Sequence, residues 1–105
     1  MSVIDVPRPS ARLDLREGFE DDEVVVRIDG EEVYRKSGVT TLPQIGRADG
    51  VDVPVGDGPV TVEVDLPQRG VSGAFSVEAA GMHIGISVSG AGIDHEVSPE
   101  PFRYA

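Results

Sequence analysis

Two histidines and several clustered carboxylates are the side chains of this sequence with the most chemistry to offer. Asp94-His95-Glu96 sets an imidazole between two carboxylates, a grouping from which acid–base pairs and metal sites are built. Strand parity works against convergence there. Asp94 and Glu96 leave a strand on one face, while His95 leaves on the other with Ile93 and Val97, which predicts a half-buried His95. His83 falls on a polar face with Gly85, Ser87 and Ser89 and needs partners from neighbouring strands to bind anything. A two-histidine site completed by Glu78 or Asp94 is the metal arrangement this allows. His83, His95 and Asp94 are therefore the candidate metal ligands; no residue is nominated as catalytic, and no cofactor is expected.

Glu20-Asp21-Asp22-Glu23 places four carboxylates just before a strand, and Asp49, Asp52 and Asp57 follow in a turn-rich segment. Converging oxygens of this kind hold calcium, but the spacing is not that of an EF-hand loop, so a solvated charge run is the expectation. Arg8, Arg12 and Arg16 need no anionic ligand, because Arg12 and Arg16 share a face with Asp14 and pair with it at the surface. Gly85 to Gly92 lacks the following helix and the Lys-Ser or Lys-Thr pair of a phosphate loop. Ser72-Gly73 and Ser89-Gly90 read as turns, and no serine sits in a nucleophile elbow.

The elements that position these residues are strands. Ala11, Leu13 and Leu15 alternate with Arg12, Asp14 and Arg16; Val24, Val26 and Ile28 alternate with polar neighbours; Val60, Val62, Val64 and Leu66 alternate with Thr61, Glu63 and Asp65. Phe75, Val77 and Ala79 form the apolar set of a further strand, followed by Met82, Ile84, Ile86 and Val88, then Ile93, His95 and Val97. Asp29-Gly30 predicts a tight hairpin turn with Gly30 at positive φ. Residues 37 to 57, punctuated by Gly and Pro, leave room only for brief strands around Val39 to Leu42 and Val51 to Val55. Phe102 to Ala105 is read as closing an edge. Pro7 and Pro9 hold residues 1–10 as an extended N-terminal arm, and residues 11–105 form one domain. No window of eleven residues carries a helical repeat. Seven to nine short strands, each with one apolar face, predict an all-β, two-sheet antiparallel β-sandwich, of immunoglobulin-like or jelly-roll topology. Val24, Val26, Ile28, Val60, Val62, Val64, Phe75, Val77, Ile84 and Ile86 are its expected buried residues.

Composition bounds the function. Nineteen acidic against nine basic residues give a formal charge of -10 in 105 residues, which opposes nucleic acid and anionic membranes. The chain has no Cys and no Trp; the first excludes disulfides and thiolate chemistry, and the second disfavours sugar stacking, for which only Tyr34 and Tyr104 are available. No signal-like N-terminus and no membrane-length apolar run is present, so the expected location is cytoplasmic. These features predict a non-catalytic protein-interaction or accessory binding module, working through a protein partner or self-association. The strands near Ile86 or Phe102 are the expected edges for pairing. The other reading is a metal-binding protein or metal-dependent enzyme using His83, His95 and loop carboxylates.

Overall fold

Alternation of branched apolar side chains with polar ones produces strands throughout the computed structural model, which describes residues 9–90 and 92–104. In order these are β1 (Ser10–Leu15), β2 (Asp22–Ile28), β3 (Glu31–Val39), β4 (Asp49–Pro54), β5 (Pro59–Leu66), β6 (Val71–Glu78), β7 (His83–Ser89) and β8 (Gly92–Ser98). Among the described residues there is no helix long and apolar enough to cross a membrane. The predicted arm, including Pro7 and Arg8, lies outside the described residues except for its last two, Pro9 and Ser10, and Ser10 already belongs to β1.

The strands form two four-stranded sheets, sheet A in the order β4-β1-β7-β8 and sheet B in the order β3-β2-β5-β6. Their inner faces pack together as a β-sandwich, with β6 over β8 at one side and β3 over β4 at the other. The pairing is antiparallel with one exception: β1 runs parallel to β7. That pair departs from the wholly antiparallel expectation. It is possible because the connection from β1 to β7 passes through all of sheet B and so has ample length for a parallel return.

At the β2–β3 hairpin Asp29 and Gly30 both have positive φ, 50° and 82°, the mirror-image turn that matches strand twist. The core is aliphatic: Leu13, Leu15, Val24, Val26, Val53, Val62, Val64, Leu66, Ile84 and Ile86 are nearly inaccessible, and Phe19 joins them from the β1–β2 crossing. Phe75 and Val77, expected in that core, are only half-buried. They belong to an edge strand, so their outer side has no further strand to cover it. Two expectations about edges are also corrected. Ile86 lies on β7, which is interior to sheet A, and Phe102 lies outside any strand. The edges are β3, β4, β6 and β8.

Candidate functional site

The two histidines leave sheet A on opposite sides. His95 points inward and stacks on Phe75 of sheet B, ring centroids 3.9 Å apart and planes within 2°. It stays exposed, rather than half-buried as parity suggested, because this contact sits at the open rim between β6 and β8. His83 is on the outer face, beside Arg12 in register, above a shallow groove that also touches Asp52 and Met82. Asp94 is exposed on β8 opposite Ser87, and Glu78 is exposed at the far end of β6. Among the described residues no three His, Asp or Glu side chains group as a metal ion would require.

The acidic run before β2 is dispersed by its own pairing. Asp22 turns inward, 2% exposed, and receives a bidentate grip from Arg69, Nε to Oδ1 at 2.9 Å and Nη2 to Oδ2 at 2.6 Å. Arg69 also donates to the Gly18 carbonyl, so the pair ties the β1–β2 crossing to the β5–β6 turn. Asp49 accepts hydrogen bonds from Tyr34 Oη at 2.7 Å, Lys36 Nζ at 3.4 Å and the Gly50 amide at 2.9 Å. Burial works to raise the Asp49 pKa, but these donors together outweigh it and hold the group below its ordinary value. Burial and the Asp49 charge push the Tyr34 phenol up.

One constellation on sheet A escaped sequence reasoning. Arg12, Asp14 and Arg16 do share the outer face of β1, but that face is covered, and Asp14 is 5% exposed. Its neighbours in register are glycines, Gly50 on β4 and Gly85 on β7. A Cβ at Gly50 would collide with Arg47 and Asp14; one at Gly85 would stand 2.8 Å from Arg16 Cδ and 3.2 Å from the Phe102 ring. Because these positions are bare, Arg12 Nε and Arg47 Nη2 reach Asp14 Oδ1, each at 3.6 Å. Arg16 likewise crosses β7 to Glu96 on β8 at 3.3 Å. The segment 99–104 lies over this floor. Phe102 stacks on the Arg16 guanidinium at 4.6 Å, and Tyr104 Oη donates to Asp14 Oδ2 at 2.7 Å. Burial and the Asp14 carboxylate push the Tyr104 phenol up to about 12, so at neutral pH it is a donor and not a base. Three guanidiniums face three carboxylates, Asp14, Asp52 and Glu96, which balances the local charge. The arrangement clasps residues 99–104 to the sheet. The bare glycines at matched register were the sequence signal for it, hidden because register is not visible in one sequence.

The sheet edges differ in a second way. β3 carries Glu31, Glu32, Arg35 and Lys36, and its pairing with β2 is interrupted by register shifts. β4 carries Asp49, Asp52 and Pro54, and β8 carries Asp94 and Glu96. These are the usual devices that discourage strand addition. β6 has none of them between Val71 and Val77: it reads Val-Ser-Gly-Ala-Phe-Ser-Val, and its register with β5 is regular from end to end. On its outer side Ser72 and Ala74, with the Gly73 backbone between them, floor a shallow depression of about 340 Å3 bordered by Arg27, Glu63 and Asp65. Compared with known proteins, the chain matches no family model, and no curated protein is similar enough to count as a relative.

Proposed function

We propose that this chain is a non-catalytic protein-interaction module whose working surface is the β6 edge. The observation that carries the reading is the contrast among the four edges: three bear charges, a proline or register shifts, and β6 bears a run of seven uncharged residues in regular register. An edge strand offers a row of backbone donors and acceptors to any extended chain, and such strand addition is a common mode of peptide recognition. An added strand would also cover the half-buried Phe75 and Val77. The net charge of -10 opposes a nucleic-acid role for the same surface.

The test is selection of random displayed octapeptides on the full chain, followed by amide hydrogen exchange with the selected peptides bound. Protection confined to β6 supports the reading. Binders that protect β3, β4 or β8 instead, or no binder tighter than about 100 μM on the usual affinity scale, would overturn it.

A further inference from the structure

Resting on that reading of β6, we infer that the segment it receives is extended and cationic, with Arg or Lys at every second residue on the side facing the depression. The argument is one of register. Ala74 pairs with Glu63 and Ser72 pairs with Asp65, so each carboxylate of β5 is separated from the vacant side of β6 by one short side chain. Arg27 on β2 stands opposite Glu63 in register and Val25 opposite Asp65, and neither carboxylate forms an ion pair with another described residue. A strand added beside β6 runs about 9.6 Å from β5, two interstrand spacings away. Its alternate side chains stand over the same face about 6.8 Å apart, which is the separation of Glu63 and Asp65 along β5. An arginine or lysine in each of those positions lies flat over Ser72 or Ala74 and ends at a carboxylate.

The molecule contains the same geometry within itself. Arg16 leaves the end of β1, crosses β7 over the bare Gly85 and meets Glu96 on β8 at 3.3 Å. A low residue on the intervening strand, a cation on one side and a carboxylate on the other are the shared elements. On sheet B the low residues and the carboxylates are in place and Arg27 flanks Glu63 from the β2 side; on the β6 side a cation must come from outside. A second copy of this chain is the poorer occupant, because it brings another -10 charge and its own β6 has no cation between Val71 and Glu78.

The experiment titrates the full chain, labelled for amide resonances, with three octapeptides alternating threonine with arginine, glutamine or glutamate, and with a fourth in which four arginines precede four threonines. The alternating arginine peptide is expected to shift β6 amides and bind most tightly. Glu63→Gln with Asp65→Asn is expected to weaken it about fivefold, as two exposed ion pairs imply. The same charge change at Glu31→Gln with Asp57→Asn should leave β6 binding within about twofold. Equal binding of the glutamine peptide at β6 would sink the cationic partner while leaving strand addition intact, and equal binding of the block peptide would sink the two-residue spacing. If no peptide moves β6 amides, both readings fall. If β6 amides shift with protein concentration alone, the occupant is a second copy and the peptide partner is overturned.

Discussion

On the outer face of sheet A, Gly50 and Gly85 make a low floor that arginines cross to reach carboxylates, and residues 99–104 close over it. On the outer face of sheet B, Ser72 and Ala74 make a comparable floor beside Glu63 and Asp65; Arg27 stands opposite Glu63, but neither carboxylate forms an ion pair with a described residue. On sheet A the low floor next to a carboxylate holds a segment that supplies a hydrogen-bond donor, Tyr104 Oη to Asp14. Sheet A receives that segment from its own chain. Its Asp14 is buried as a result, whereas the sheet B carboxylates stay partly exposed.

The largest expected effect comes from removing the sheet A cover. A chain ending at Ser98 loses the Tyr104 hydrogen bond to a buried charge and the Phe102 stack on Arg16, and should lose about 3 kcal/mol of stability in urea denaturation. An unchanged midpoint would mean that the segment covers nothing of consequence, and the contrast between the two faces would collapse. A smaller effect separates the two floors directly. Gly85→Val should cost about 2 kcal/mol, since the new side chain meets Arg16 and Phe102 at less than contact distance. Ala74→Val, on an exposed edge position with a strand-favouring residue, should change stability by less than about 0.5 kcal/mol. Equal losses in the two variants would show that the sheet B floor is as occupied as that of sheet A.

How much of this was legible beforehand follows from what alternation encodes. Val60, Val62, Val64 and Leu66 fix both the strand and its buried side, and Asp29-Gly30 fixes a turn, because period and turn chemistry are local. Alternation also put Arg12, Asp14 and Arg16 on one face, correctly. It could not say that Gly50 and Gly85 flank Asp14, or that Tyr104 returns to it across ninety residues. The misplacement of Phe75 and Val77 has the same origin: parity points them inward, but only strand order shows that β6 is an edge. Phe19 was missed because it enters the core from a crossing segment, where no period applies. The candidate ligands His83 and His95 were separable by parity alone if their strands were neighbours, and β7 and β8 are.

The smallest effect expected is a dependence on pH that belongs to the covered face. Tyr104 has a folded pKa of about 12 against an ordinary value near 10, through burial first and the Asp14 carboxylate second. A phenol whose folded pKa is raised stabilises the fold while protonated. That contribution is complete below pH 10, where both states keep the proton. It declines as pH rises from 10 through 12, where the unfolded chain ionises and the folded one does not. Tyr104 remains partly exposed, so water screens the effect and its share of the decline should be well under about 1 kcal/mol. Tyr34, pushed in the same direction by burial and Asp49, adds a slope of the same sign. Tyr104→Phe should therefore flatten the fall in stability between pH 10 and 12 without abolishing it, and Tyr34→Phe in addition should flatten it further. Denaturation midpoints at pH 8, 10 and 11 measure this. A Tyr104→Phe chain whose stability falls as steeply as that of the parent would show that the phenol is as free in the folded protein as in the unfolded one, and that residues 99–104 do not seal the floor over Asp14.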